Sequence, residues 1–403
     1  MSLASTASSR RPFPRAALRL AAALLGLLAA ATPAAARNSE PAPPPLAALP
    51  ALGADARAVT VSGLSSGGYM AAQFQVTHSA SLAGAAVIEG GPYGCSRGSV
   101  RTAAQTCSCP SESGGWLGSL ERAACTPLAA GAALELSRGV TEGMRREIDD
   151  VSNLKRHRVW LFSGGKDRTV PLPMMDALEG YYAAYGVPPA QLRRVHLPES
   201  GHGLPTKARG DCAASRTPYL NGCGFDGAGE LLKWLYDAPQ MQPGTARPQS
   251  LRPFSQRPYR DGGSRFDGLD ETGWVYIPAA CEQAGSGCRL HVAFHGCSQG
   301  QNVVVEGRGS YGRTFVEGAG YNDWAEANRI VVLYPQVMPS SRGGVPGPYR
   351  YNPKGCWDFW GYTDPRGAAL YPLQPSFAKK DAPQVKAVKR MIDALVAGPS
   401  AAH

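Results

Sequence analysis

Short runs of β-branched and other apolar residues alternate along this chain with segments in which apolar residues recur at helical spacing. Strands that alternate with helices imply crossover connections, and therefore a mostly parallel α/β sheet. The apolar runs predict strands at residues 58–61, 85–88, 159–162, 194–197, 273–277, 290–294 and 330–334. The helical spacing predicts helices near residues 69–75, 140–149, 173–184, 227–236, 320–328 and 382–396.

Two segments interrupt this alternation. Residues 91–130 are rich in Gly, Ser and Cys, which predicts a loop or lid tied down by disulfides. Residues 238–265 are rich in Pro, Gln, Arg and Gly, a composition typical of a linker or a long surface loop. The second half, 266–403, contains only about three predicted strands. We therefore expect it to complete one sheet with the first half, 37–237, in a single domain spanning 37–403.

The N-terminus has the composition of an export signal. Residues 1–36 carry four arginines and no acid, with an apolar run at about 20–31 and alanines at 34–36. This order is typical of a secretory signal peptide, and the run is too short for a membrane span, which needs about 20 apolar residues. A disordered Ala-rich tail is the alternative, and the arginine pair at 10–11 leaves twin-arginine export open. The sequence thus predicts a secreted protein, periplasmic or extracellular, without a membrane span.

The charge balance argues against a nucleic-acid partner. The chain has 41 basic and 31 acidic residues and a net charge of +10, which falls to +6 without the four leader arginines. That excess is mild for a chain of this length, and no basic cluster interleaved with aromatic residues is visible. Nucleic-acid-binding proteins usually show such a cluster, so we exclude that class.

The cysteines are even in number, as expected of disulfides in an exported protein. A zinc site in the first four cysteines is the alternative. The sequence alone does not establish the pairing. The close spacing of residues 212 and 223, and of 281 and 288, would suit disulfides that close short loops. The ten are Cys95, Cys107, Cys109, Cys125, Cys212, Cys223, Cys281, Cys288, Cys297 and Cys356.

A Gly-x-Ser-x-Gly pattern, which can place a serine on a tight bend between a strand and a helix, occurs three times. Only Ser65 has a predicted strand directly before it and a predicted helix directly after it. Ser96 is followed by a segment without a helical apolar stripe. Ser298 follows a good strand, but the only histidine after it is the terminal His403. The pattern around Ser65 therefore predicts the nucleophile, the alternative being an ordinary glycine turn.

A serine hydroxyl needs an adjacent base, and histidine suits that role because its pKa lies near neutral pH. His202 follows a predicted strand and is flanked by glycines, which leave room for an exposed imidazole. His78, His157 and His196 fall on a helix, in a charged run and inside a strand. His202 is therefore the predicted base, the alternative being a plain loop histidine.

The base needs a carboxylate to hold its tautomer. Asp167 follows the strand at 159–162 and precedes a predicted helix, so it should lie at the C-terminal edge of the sheet, where ligands gather in such folds. A structural turn aspartate is the alternative reading. The order Ser65, Asp167, His202 is the one that hydrolases of the α/β type use.

The turn that supplies oxyanion-hole donors appears in an unusual place. One donor should be the amide of Ser66, which follows the nucleophile. The second usually comes from a His-Gly turn upstream of the serine, whereas here His295-Gly296-Cys297 follows a strand far downstream. This order predicts a circularly permuted α/β-hydrolase domain.

Together, the motifs GLSSGGYM (63–70), GGKDRTVP (164–171), SGHG (200–203), HGCSQ (295–299) and GCWDFWGY (355–362) resemble those of the poly(3-hydroxybutyrate) depolymerases with permuted catalytic domains. The resemblance implies a triad and an oxyanion hole without a metal or organic cofactor. It also implies a disulfide from Cys297 to Cys356 and a substrate cleft lined by Trp357. By residue type alone, that tryptophan would more often be a core aromatic. The implied site residues are Ser65, Asp167 and His202 for the triad and the amides of Ser66 and Cys297 for the oxyanion hole.

We therefore expect an exported serine esterase that hydrolyses poly(3-hydroxybutyrate) or its oligomers through an acyl-enzyme intermediate. A feruloyl, acetylxylan or other short-chain carboxylesterase on the same scaffold is the alternative, and a non-catalytic polymer-binding protein is a more distant one. No segment has the length or repeats of an added substrate-binding domain. This favours amorphous polymer or soluble oligomers over crystalline polymer.

Overall fold

A computed structural model describes residues 45–110, 125–261, 266–307, 309–340, 350–364 and 375–398. The predicted signal peptide at 1–36 lies outside these residues. Within them, no helix is both long enough and apolar enough to cross a membrane.

Eight of the strands form one sheet, and the remaining four form two small pairs. The strands are β1 (Val59–Leu64), β2 (Gly84–Ile88), β3 (Arg158–Gly164), β4 (Leu192–Leu197), β5 (Leu204–Thr206), β6 (Leu220–Gly222), β7 (Leu251–Ser255), β8 (Thr272–Tyr276), β9 (Arg289–Phe294), β10 (Val304–Val305), β11 (Gly309–Ser310) and β12 (Ile330–Tyr334).

The order of the large sheet is β4-β3-β2-β1-β9-β12-β8-β7. Its first six strands run parallel to one another, whereas β8 pairs antiparallel with β12, and the edge strand β7 pairs antiparallel with β8. The two halves of the chain meet where β1 pairs with β9, with Gly63 opposite Phe294. The predicted mostly parallel α/β sheet is therefore confirmed, and β9 and β12, which come late in the chain, lie in its centre.

Helices cover both faces of the sheet, as the fully buried central strands require. The helices that pack on the sheet are α1 (Ser66–Thr77), α2 (Ala130–Gly143), α3 (Leu172–Ala184), α4 (Gly227–Leu235), α5 (Thr314–Gly318), α6 (Tyr321–Asn328) and α7 (Pro383–Val396). On one face α1, α2, α3 and α7 share a core with alternate residues of β1, including Val59 and Val61. On the other face α4, α5 and α6 pack against Leu64 and Tyr334.

The segment 238–265, predicted as a linker or long loop, contains β7 and thus contributes to the sheet. Its apolar residues, Leu251 and Phe254, are buried, but Arg252 and Pro253 between them are exposed. Pro253 cannot donate a ladder hydrogen bond and is tolerated because β7 is an edge strand. A proline-containing strand of this kind has no clear apolar alternation, which is why its sequence is typical of a loop.

All ten cysteines are paired in disulfides. Two of these bonds tie the described parts of the segment 91–130, so the first four cysteines do not form the alternative zinc site. The pairs are Cys95–Cys107, Cys109–Cys125, Cys212–Cys223, Cys281–Cys288 and Cys297–Cys356.

Candidate active site

Ser65 occupies the turn between β1 and α1. Its backbone has φ 57° and ψ −119°, a conformation that costs a non-glycine residue energy. A Cβ on Gly67 would lie 2.4 Å from the carbonyl oxygens of Phe294 and His295, and a Cβ on Gly63 would lie 2.1 Å from the Gly67 oxygen. The glycines therefore allow a close approach of three backbone segments. The resulting turn presents the Ser65 side chain at the C-terminal edge of the sheet.

The other two Gly-x-Ser-x-Gly serines have different surroundings. Ser96 is fully buried, and its hydroxyl donates a hydrogen bond to the Phe359 carbonyl. Ser298 lies on the wall of the same cleft as Ser65, with its amide donating to the Lys354 carbonyl at 2.6 Å. Of the three serines, Ser65 is the one that joins a strand directly to a helix.

His202 and Asp167 come together from the ends of two neighbouring strands, β4 and β3. The His202 Nδ1 lies 2.9 Å from Asp167 Oδ2, and the two side chains are 4% and 3% exposed. The other carboxylate oxygen, Asp167 Oδ1, accepts the amides of Thr169 at 2.7 Å and Val170 at 3.1 Å. Because Nδ1 is directed at the carboxylate, Nε2 is the ring nitrogen left to act on Ser65, which lines the same cleft as His202.

The two residues whose amides are predicted to form the oxyanion hole lie next to Ser65 and come from opposite halves of the chain. Ser66 is the first residue of α1, and Cys297 follows β9, the strand beside β1. A Cβ on Gly296 would lie only 3.5 Å from the Ser65 Cβ, so this turn is adjacent to the serine. The disulfide to Cys356 fixes the turn from its other side. The arrangement suits donors aimed at an oxyanion on a group bound to the serine.

These groups open into one cleft with a volume of about 540 Å³. Its polar lining includes Ser65 and His202. The apolar part of the wall consists of small and aromatic side chains, a lining typical of a site for a small organic ligand. This part includes Tyr69, Val100, Ala103, Phe359 and Trp360.

The resemblance implies Trp357 as a residue of the substrate cleft, and this role stays a prediction. Its side chain is fully buried and its ring packs edge-on against Phe294, with centroids 4.9 Å apart. Trp360 is among the residues that line the cleft. Between the two tryptophans, the buried carboxylate of Asp358 accepts the amides of residues 360–363.

A further carboxylate, Glu89, lies beside His202 and was missed from the sequence. It directly follows β2, is 1% exposed and has a positive φ of 48°. Its Oε2 accepts the Gly203 amide at 2.7 Å and lies 3.2 Å from His202 Nδ1. The available signal was its position: it follows the strand between those that precede Ser65 and Asp167.

The electrostatics of this cluster favour a basic imidazole. Burial and the charge of Asp167 raise the pKa of Glu89. Burial by itself would lower the pKa of His202, but the charges and hydrogen bonds of the two carboxylates outweigh it and raise that pKa above its ordinary value. The imidazolium form of His202 is therefore stabilised, as a general base requires while it holds a proton.

Among the described residues, Glu89, Asp167 and His202 are also the one group of potential metal donors, with ligand atoms within 4.8 Å of one another. Oxygen and imidazole donors can hold a divalent ion. Here, however, Asp167 and Glu89 converge on the same His202 nitrogen and on backbone amides. The hydrogen bonds thus account for the arrangement as an acid–base cluster.

Comparison with known proteins identifies relatives along most of the chain. It is 34% identical over 354 residues to a poly(3-hydroxybutyrate) depolymerase of Delftia acidovorans, an alignment that covers 87% of this chain and 62% of that relative. It is 33% identical over 326 residues to a polyhydroxybutyrate depolymerase of Talaromyces funiculosus, covering 78% of this chain and 85% of that one. The chain matches no protein-family model.

Two solved structures share the fold. The crystal structure of a PHB depolymerase from Penicillium funiculosum superposes with a TM-score of 0.68 at 29% identity, covering 87% of this chain and 98% of that chain. A serine-to-alanine variant of a PHB depolymerase, complexed with an R3HB trimer, gives a TM-score of 0.67 with the same identity and coverage. The resemblance stated from the motifs is thereby confirmed, and this chain belongs to the poly(3-hydroxybutyrate) depolymerase family.

Proposed function

We propose that this protein is a secreted carboxylic ester hydrolase that cleaves poly(3-hydroxybutyrate) or its oligomers through an acyl-enzyme on Ser65. The observation that carries the proposal is the placement of Ser65 on a strained strand-to-helix turn, in one cleft with the His202–Asp167 pair. The relatives support the substrate class, since they are named poly(3-hydroxybutyrate) and polyhydroxybutyrate depolymerases.

In the first half of the reaction, His202 Nε2 takes the proton from the Ser65 hydroxyl as its oxygen attacks the ester carbonyl. The oxyanion that forms accepts hydrogen bonds from the amides of Ser66 and Cys297, each worth roughly 2.7–4 kcal/mol in the transition state. The ester C–O bond then breaks, and His202 gives its proton to the departing hydroxyl end of the chain.

In the second half, water replaces the departed alcohol in the cleft. His202 removes a proton from the water as it attacks the 3-hydroxyacyl ester of Ser65, and the same amides hold the second oxyanion. Collapse of the intermediate returns the proton to Ser65 and releases the acid. Asp167 keeps the imidazole oriented throughout and stabilises the imidazolium.

The cleft suits a short, weakly polar ester chain. Tyr69 and Phe359 stack face to face, with centroids 4.4 Å apart, and Trp360 packs edge-on against Phe359. These rings make a rigid apolar wall next to the serine, which suits the methyl groups of 3-hydroxybutyrate units. The complex of a related depolymerase with an R3HB trimer supports a ligand of this size.

Export is supported by the covalent structure. Five disulfides join all ten cysteines, and such bonds persist in oxidising compartments outside the cytosol. The basic and apolar leader at 1–36 is consistent with this location.

A substrate panel tests the proposal. Purified protein is offered amorphous and crystalline poly(3-hydroxybutyrate), the R-3-hydroxybutyrate trimer, a feruloyl ester and acetylated xylan. We expect cleavage of the trimer and the amorphous polymer, and loss of it in Ser65→Ala but not in Ser152→Ala, which alters an exposed serine. Cleavage of the feruloyl or acetyl ester alone would contradict the substrate and support the alternative esterase.

A further inference from the structure

Glu89 is a buried acid that the Ser65–His202–Asp167 mechanism does not use. It occupies a position built to hold it, because a Cβ on Gly164 of the neighbouring strand β3 would lie 2.8 Å from Glu89 Oε1. Its backbone has a positive φ of 48°, which an L-residue adopts at an energetic cost. The protein therefore accepts both the desolvation of a carboxyl group and backbone strain at this one residue.

The two carboxylates contact His202 in different ways. Asp167 lies closer to Nδ1, at 2.9 Å against 3.2 Å for Glu89, and two backbone amides fix its second oxygen. Glu89 uses a single oxygen, Oε2, for both His202 Nδ1 and the Gly203 amide, while its Oε1 is buried without a hydrogen-bond partner. Asp167 thus has the geometry of the orienting acid, and Glu89 holds the imidazole and the following peptide together.

We propose that Glu89 is a positioning residue for the hydrolysis, a second acceptor that anchors the His202–Gly203 segment and stabilises the imidazolium that forms in the transition state. This inference rests on the proposed function, since it assigns Glu89 a role in the same proton transfer. Asp167 and Glu89 both approach the same ring nitrogen, so the imidazole is contacted by residues that follow both β3 and β2.

The groups that face Glu89 define what its charge can do. His202 approaches Glu89 from the loop after β4, and Asp167 approaches it from the loop after β3. The charge of Asp167 also acts on Tyr69 of α1. Tyr219 packs edge-on against the His202 ring. In the described part of the chain, no lysine or arginine forms an ion pair with Glu89. Its influence is therefore exerted mainly on the imidazole.

The pH dependence of the reaction reports this influence. The two carboxylates together raise the pKa of His202 against the effect of burial. The protonated His202 favours the ionised form of the adjacent Glu89. Glu89→Gln keeps the side-chain volume and an oxygen for the Gly203 amide, but it removes that charge. The acidic limb of the kcat/KM profile should then move to lower pH by about one unit, the usual effect of a neighbouring opposite charge. A merely structural residue would change the height of the profile and leave its position unchanged.

The experiment measures kcat/KM against pH for the full protein and for Glu89→Gln, Glu89→Asp and Asp167→Asn. It uses both the R-3-hydroxybutyrate trimer and p-nitrophenyl butyrate. We expect Glu89→Gln to lose about tenfold in kcat with its acidic limb displaced to lower pH, and Glu89→Asp to keep the limb near the original. Asp167→Asn should lower kcat about 10⁴-fold, because the imidazole would then adopt the wrong tautomer.

Two kinetic outcomes would overturn the inference: an unchanged pH profile in Glu89→Gln, or a loss of kcat as large as that of Asp167→Asn, which would make Glu89 the orienting acid. An NMR titration of His202 in Ser65→Ala gives a check that needs no change at Glu89. A His202 pKa at or below its ordinary value would also overturn it. If the p-nitrophenyl ester is cleaved and the trimer is not, the substrate assignment fails while the role of Glu89 is still measured.

Discussion

The disulfide between Cys297 and Cys356 links the turn after β9 to the aromatic segment of the cleft, with Cα atoms 4.2 Å apart across 59 residues of chain. Ser66 Oγ accepts the Trp357 amide at 3.3 Å, so the same segment also contacts the start of α1. The two amides assigned to the oxyanion hole are therefore connected to each other through one short stretch of backbone.

Removing this disulfide should reduce kcat more than removing a disulfide that closes a short loop. We expect Cys297→Ala/Cys356→Ala to lower kcat by at least about tenfold, because complete removal of one oxyanion donor lowers kcat on the order of 10²–10³-fold. The matched control is Cys281→Ala/Cys288→Ala, which opens a loop of 7 residues before β9, at the opposite end of that strand from the Cys297 turn. It should lose about 2 kcal/mol of stability with kcat unchanged. Equal kcat values in the two double variants would contradict the role of the Cys297 turn.

The glycine contact beneath the nucleophile gives a second prediction. In Gly67→Ala, the new Cβ would meet the Phe294 and His295 carbonyl oxygens at 2.4 Å, so the backbone must shift. We expect a loss of about 1–3 kcal/mol in chemical denaturation, the usual cost of overpacking, together with lower activity. Gly139→Ala on α2 is the control, since nothing lies within 4 Å of its Cβ. The free energy of unfolding of this control should rise by up to about 1 kcal/mol. A comparable loss of stability in both variants would contradict the close backbone packing at the Ser65 turn.

The two tryptophans of the aromatic segment should respond differently to replacement by phenylalanine. Trp360→Phe should raise KM for the trimer a few-fold, on the order of 1 kcal/mol, because the indole lies on the cleft wall. Trp357→Phe should lower the melting temperature and leave KM unchanged, since its ring is fully buried. Steady-state kinetics and thermal unfolding distinguish the two. A raised KM in Trp357→Phe alone would support the cleft role that the resemblance implies for Trp357.

Comparison of these residues shows how far sequence reasoning reaches. Ser65, Asp167 and His202 could be predicted because each follows a recognisable strand, and strand ends converge at one edge of a parallel sheet. The surroundings of Trp357 could not be predicted, because its segment turns around the buried Asp358 carboxylate, which a local pattern does not reveal.

Two other features needed the three-dimensional pairing of strands. Glu89 also follows a strand, but only the order of β1, β2 and β3 in the sheet brings its carboxylate to His202. The strand β7 could not be predicted from the sequence, because Arg252 and Pro253 interrupt its apolar pattern.

Buried histidines predict a loss of stability in acid. Burial lowers the pKa of His78, His157 and His295 from 6.5 to about 4, and that of His291 to about 3. Since these folded-state values lie below the unfolded value, the neutral rings contribute stability that is fully present above pH 6.5 and is lost as pH falls toward 4 and 3. The free energy of unfolding should decline through this window, less steeply in His291→Gln. A flat profile from pH 6.5 to 4 would contradict this.

The most direct test of the central claim is the release of 3-hydroxybutyrate from the R-3-hydroxybutyrate trimer by the wild-type protein and by Ser65→Ala. We predict steady hydrolysis by the wild type and a loss of at least about 10³-fold in the variant, because a triad without its nucleophile retains only residual catalysis. Hydrolysis by Ser65→Ala within tenfold of the wild-type rate would contradict the assignment of Ser65, and with it the proposed mechanism.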